Sequence, residues 1–306
     1  MYLEHFGLKE PPFSLTPDTG FFYGSRSHQE ALNVLLVALR TGEGVLKVIG
    51  EVGTGKTLLC RKLLSRLKGE FVTAYIPNPH LMSDEDLHHA LARELGMEIE
   101  NGLSVHRILQ RITERLIRIA TRGHRVVLCI DEAQTLGERS LEAIRLLSNL
   151  ETEKRKLLQI VLFAQPELDR QLGGSELRQL RQRISFSYRL LPLDASSSRA
   201  YLEHRLAVSG YRGAPLISPL AHFLLHLVSA GVPRMLNILG HKALLRAFGR
   251  GERSLGWGHV LCALRDTESC FASAKFRFYR LLCWGLGMVL VAELTFFVLV
   301  KFGGIA

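Results

Sequence analysis

Apolar residues recur along the first two thirds of the chain in two alternating rhythms. Short unbroken apolar or β-branched runs at 45–50 (VLKVIG), 71–77 (FVTAYIP), 125–132 (RVVLCIDE), 157–164 (LLQIVLFA) and 184–190 (ISFSYRL) predict buried strands. Between them, apolar positions spaced by three and four residues predict helices at 28–39, 58–67, 84–95, 104–121 and 140–151. Strands and helices alternating at this spacing imply a parallel sheet covered by helices on both faces. Past Pro192 the strand signal stops. Helices are expected at 197–209, 219–230, 233–248 and 257–267, with Ser218 and Pro219 forming an N-cap and first-turn pair.

The expected organisation is a lead-in at 1–43 packing on the core, an α/β domain at 44–191 and a small all-helical domain at 192–270. A basic linker at 271–280 then leads to a run at 281–300, LLCWGLGMVLVAELTFFVLV, whose one charge is Glu293. As a helix this run spans ~30 Å, enough to cross a bilayer. Lys275, Arg277 and Arg280 precede it and Lys301 follows, so the bias of basic residues places the N-terminal side in the cytoplasm of a single-pass inner-membrane protein, with 301–306 as a short periplasmic tail. Trp284 falls near the inner interface. Glu293 lies toward the outer half, where a carboxylate finds interfacial water or a helix partner.

A chain of 306 residues with 47% hydrophobic and 22% charged positions buries a core, which excludes a disordered polymer. Five scattered cysteines without CxxC spacing exclude a disulfide framework or a structural zinc site. Pro11 and Pro12 interrupt the stretch where a secretory signal would need its apolar core. The net charge is +10, and seven of those charges arise after Leu191. An anionic lipid surface beside 275–280 accounts for this excess. Nucleic acid is the competing partner, with no zinc finger visible and no helix-turn-helix assignable.

The chemistry concentrates in Gly50-Glu51-Val52-Gly53-Thr54-Gly55-Lys56-Thr57, a GxxxxGK[ST] loop between a predicted strand and a predicted helix that runs on into Leu58. Glycines let backbone N–H groups curl round phosphate oxygens, the helix points its positive end at them, Lys56 adds a point charge, and Thr57 offers a hydroxyl to magnesium. A triphosphate site also needs groups for metal and water. Asp131, at the carboxyl end of a buried strand beside the phosphate loop, suits the metal, and Glu132 suits a general base. Gln134 reads as a polar helix-start residue. Gln165, ending a strand before Pro166, is placed to sense the terminal phosphate or merely to close the strand. Among Arg178, Arg181 and Arg183, Arg183 is the preferred candidate for reaching a neighbouring subunit's nucleotide. Arg234 begins a helix of the second domain, where it closes over the phosphates or caps a surface. Phe13 and Tyr23 are candidates for stacking on adenine or for packing against the sheet.

Together these segments, with MYLEHFGLKEPPFSLTPDTGFFY, DEAQ, AQPEL, QLRQRISF and GVPRMLNIL, make the chain resemble the AAA+ ATPases of the ExeA/GspA type, and within them the MSHA pilus biogenesis ATPases. The resemblance implies a P-loop ATPase sheet with a helical lid, Mg-ATP as substrate and a homo-oligomer, ring or nucleotide-bridged dimer, with sites between subunits. It implies sensor, arginine-finger and lid-sensor roles for Gln165, Arg183 and Arg234. It also implies work with other inner-membrane proteins in assembling a type IV (MSHA-like) pilus or a type II secretion-like apparatus. Proteins of that type continue beyond the span into a peptidoglycan-binding domain; with six residues left here, no cell-wall binding is expected of this chain. The rival expectations are a DNA-associated ATPase of the transposition-helper or loader type and a scaffold that nucleotide merely orders.

Overall fold

The computed structural model describes residues 1–80, 82–98, 103–153 and 155–267. In chain order its elements are α1 (Tyr2–Phe6), α2 (Arg26–Thr41), β1 (Val45–Ile49), α3 (Lys56–Leu67), β2 (Phe71–Ile76), α4 (Asp84–Glu94), α5 (Val105–Thr121), β3 (Arg125–Ile130), α6 (Glu138–Leu147), β4 (Leu158–Ala164), α7 (Glu167–Leu172), α8 (Arg178–Arg183), β5 (Ile184–Arg189), α9 (Ala195–Val208), α10 (Pro219–Ser229), α11 (Pro233–Gly249) and α12 (Trp257–Arg265). The expected linker, membrane span and tail lie outside the described residues, among which no helix is long and apolar enough to cross a membrane.

Two compact units result, one of Thr16–Leu191 and one of Met1–Leu15 with the described residues after Leu191. In the first, five parallel strands pair in the order β2-β3-β4-β1-β5. Because side chains alternate across a strand, the buried runs supply two cores at once. Val126, Leu128, Ile130, Ile160 and Leu162 pack on one face with α4, α5 and α6. Val127, Cys129, Val161 and Phe163 pack on the other with α2 and α3. Register sets the functional edge. Ile49 pairs with Ala164, so Gly50 and Gln165 leave β1 and β4 level with each other, while Ile130 pairs with Leu162, so Asp131 leaves β3 two residues earlier along β4. The Gly50 N–H donates to the Ala164 carbonyl at 3.1 Å, fixing the start of the loop against the end of β4.

The second unit is helical, and its core claims the first fifteen residues. Phe13 is buried with its ring against Gly240, so close that a Cβ there would lie 3.0 Å from it. The buried Arg205 guanidinium donates to the carbonyls of Pro12 and Ser14. The lead-in is therefore not one piece packing on the sheet domain: the donations from Arg205 hold 12–14 to the helical unit, while 16–43 belongs to the sheet unit. The same packing removes Phe13 as a candidate for stacking on a base.

Candidate nucleotide site

The phosphate loop is shaped by backbone conformation. Gly55 sits at φ 97°, a left-handed value that costs other L-residues ~1–2 kcal/mol. A Cβ on it would also lie 2.9 Å from the imidazole of His28. Gly50 has a different reason to be glycine, since a Cβ there would come within 2.7 Å of Thr54 Oγ1. The loop ends on the first turn of α3, whose free N–H groups and dipole favour an anion. Lys56 is buried, its Nζ donating to the carbonyls of Gly50 at 2.8 Å and Glu51 at 3.1 Å. Burial pushes the ammonium pKa below its ordinary value, against the opposing pull of Glu132 and Asp131.

Across the sheet edge, Thr57 Oγ1 donates to Asp131 Oδ2 at 2.6 Å. Asp131 is not beside the loop in the sheet, as the sequence suggests, because β4 lies between β1 and β3; the two segments meet over the end of that strand. Burial raises the Asp131 pKa, with the Thr57 hydroxyl working the other way. A hydroxyl and a carboxylate at this separation form a hard-oxygen pair suited to magnesium, which completes its shell with phosphate and water. Among the described residues no larger group of His, Cys, Asp and Glu gathers that could hold a metal by protein alone.

Glu132 turns the chain sharply, at φ 55° and ψ 38°. Its Oε2 accepts from Gln134 Nε2 at 2.6 Å and from Gln165 Nε2 at 2.9 Å. Gln165 follows β4, the strand between those that carry the acidic pair and the loop, and its side chain reaches Glu132. Arg178, Arg181 and Arg183 are exposed along α8, and the Glu151 carboxyl is held below its ordinary range by Lys156, with Arg183 adding to the effect. Arg234, the second residue of α11, belongs to the helical unit. Its turn is fixed by Gly231, whose carbonyl accepts from the Leu193 N–H and which lies so close to Leu193 that a Cβ would overlap the carbonyl there.

Two residues of the site carry no such reading in the sequence. Gln134, which reads as a helix start, has its side chain in the acid cluster. His28, the first position of the expected amphipathic stretch, is buried with Nε2 3.0 Å from the Thr54 carbonyl and Nδ1 2.7 Å from Ser25 Oγ. A carbonyl only accepts, so Nε2 carries the proton and Nδ1 accepts from the Ser25 hydroxyl. Their spacing from the motifs holds no signal for either.

Residues 39–172 match the AAA domain family. Over 268 residues, 88% of this chain, the sequence is 42% identical to general secretion pathway protein A of Aeromonas hydrophila, and it spans 49% of that relative's length. Similar folds include Cdc6p of Pyrobaculum aerophilum (TM-score 0.65, 18% identity, 83% of this chain and 70% of that one). The ORC2 protein of Aeropyrum pernix follows (0.61, 18%, 85% and 72%), and RuvB of Thermotoga maritima (0.54, 18%, 79% and 69%). These likenesses of structure speak for the fold. With the domain match and the relative, they point to an ATPase. The AAA domain at 39–172 and the 42% identity to general secretion pathway protein A over most of the chain support an AAA+ ATPase of the ExeA/GspA type.

Proposed function

We propose that this ATPase hydrolyses Mg-ATP while anchored in the inner membrane by residues 281–300, its N-terminal units in the cytoplasm, and that it supports assembly of a type II secretion or MSHA-like pilus apparatus. The observation that carries the hydrolytic reading is the 2.6 Å contact between Thr57 and Asp131, which brings the phosphate loop and the acidic pair to one point. In this reading residues 50–58 and Lys56 bind the phosphates, Thr57 and Asp131 hold magnesium, and Glu132 takes the proton of the attacking water. The ion, when bound, neutralises phosphate charge. Gln165 senses the terminal phosphate. Arg183, with Arg178 and Arg181 as alternatives, serves a neighbouring subunit, and Arg234 is the lid sensor that the family resemblance implies. The similarity to a protein named for general secretion supports the envelope role, and the apolar run behind a basic cluster supports the anchor.

One experiment tests both halves. Cells producing the wild-type chain, Glu132→Gln and a chain shortened before Leu281 are fractionated, and each product is assayed for nucleotide binding and turnover. Glu132→Gln should bind nucleotide normally and lose turnover by about 100-fold or more, the scale of a lost general base; undiminished hydrolysis would remove Glu132 from its role. The shortened chain should leave the membrane fraction, and its retention there would sink the anchor.

A further inference from the structure

We propose that Gln134 is the positioning residue for the Glu132 carboxylate, gripping it with one end of its amide while the other end is pinned to the tip of β4. This rests on reading Glu132 as the base. The amide's orientation follows from its partners. The Gln165 backbone N–H can only donate, so the atom 3.0 Å from it is Gln134 Oε1, which turns Nε2 toward Glu132 Oε2 at 2.6 Å. A reversed amide would set donor against donor at one end and acceptor against acceptor at the other. The donation to a carboxylate is charge-assisted and short, the strong class of hydrogen bond. Gln134 is itself held, because its main-chain carbonyl accepts from Gln171 Nε2 of α7 at 3.1 Å.

Gln165 gives Glu132 a second bond through its side-chain amide. That amide has two hydrogens, so the one not directed at Glu132 can serve a phosphate oxygen, and any movement toward phosphate would carry Glu132 with it. Gln134 does not have that freedom, being tied at Oε1 to the backbone of one strand and lying close behind the end of another. It gives a fixed point to the carboxylate of Glu132, whose own backbone stands at positive φ. Misplacing a reacting group by ~1 Å costs on the order of 100-fold in rate, so a loss of about 10- to 100-fold in kcat is expected when the grip is removed.

Two substitutions in the full chain separate this role from simple support of β4. Gln134→Met keeps length and removes both polar ends. Gln134→Glu keeps an oxygen for the Gln165 N–H and replaces the donor facing Glu132 by an anion. Both should lower kcat by about 10- to 100-fold, with KM and equilibrium nucleotide affinity within about twofold of wild type. The deficit of Gln134→Glu should narrow as pH falls and the introduced carboxyl, once protonated, donates again. Wild-type turnover by Gln134→Glu would show that only the β4 contact matters and would overturn the proposal, as would a deficit that ignores pH. Run beside them, Glu132→Gln keeps the two failures apart: if it hydrolyses normally the base itself is wrong, whereas its loss alongside a fully active Gln134→Glu rejects Gln134 alone.

Discussion

On the loop side of the sheet edge, Lys56 is held by main-chain carbonyls of Gly50 and Glu51, inside a turn that only glycine at 55 closes without strain. On the acid side, Glu132 is held by two side-chain amides, one from close by in the chain and one from the end of a different strand. A binding function built from backbone demands particular residue types at fixed spacing. One built from side chains demands only that donors arrive at the right place, from wherever the chain brings them. The two halves should therefore fail differently. Damage to the loop should appear in nucleotide affinity, and damage to the acid cluster in turnover.

The largest effect in affinity is expected from Gly55→Ala. The substitution forces a left-handed φ on alanine, about 1–2 kcal/mol, and drives a methyl toward His28 Nε2. Together these should weaken ATP binding roughly thirtyfold or more, read by equilibrium titration; affinity within about threefold of wild type would mean that the loop is not held as the structure shows. A smaller effect in the same direction is expected at His28. Alanine there leaves the Thr54 carbonyl without its donor, a loss of about 1–3 kcal/mol for a buried group if all of it reaches the loop, and about two- to twelvefold in affinity if half does. Replacement by longer and shorter amides sharpens the test: His28→Gln places a donor near the Nε2 position and should recover most of the affinity, whereas His28→Asn reaches only the Ser25 side and should not. Equal behaviour of the two would assign the effect to the cap of α2 rather than to the loop. In each variant kcat should stay near wild type.

The same contrast explains what is legible in the sequence. The five strands and the longer helices are, the strands as short unbroken apolar runs and the helices through apolar positions that repeat every three to four residues. So is the phosphate loop, whose glycines answer local steric demands, and so is the acidic pair, which ends an unbroken apolar run. The order of the sheet is not. Nothing in the run at 157–164 says that it inserts between β1 and β3, and that insertion is what makes Gln165 a neighbour of Glu132. Gln134 reads as a helix start because the short turn that follows Glu132 leaves no pattern of its own, and His28 goes unnoticed because a histidine on a buried helix face has many uses. The division of the lead-in is hidden for a similar reason: its cause is Arg205, 193 positions from Pro12 and 191 from Ser14, whose carbonyls it binds. Contacts that close over long separations leave no period to read.

The smallest expected effect concerns pH and tests whether His28 enters the folded state neutral. Burial pushes its pKa below the ordinary 6.5, the Thr54 contact only partly opposing this. An unfolded chain then binds the proton more readily than the folded one, so stability rises with pH across the window between the lowered value and 6.5 and falls as the medium is acidified through it. His88, in the same unit, is shifted downward by burial too and adds to the slope. Asp131 acts in the opposite sense: its raised pKa makes the folded state hold its proton longer, so its contribution declines as pH rises from 3.8 toward the raised value. The net profile mixes these with the other shifted groups of the chain, but the difference between wild type and His28→Gln isolates His28. Measured by thermal unfolding between about pH 7.5 and about pH 5.5, the variant should lose less of its melting temperature on acidification than the wild-type chain. Parallel profiles would mean that His28 titrates alike in both states, and the buried imidazole would then not be what clasps the loop.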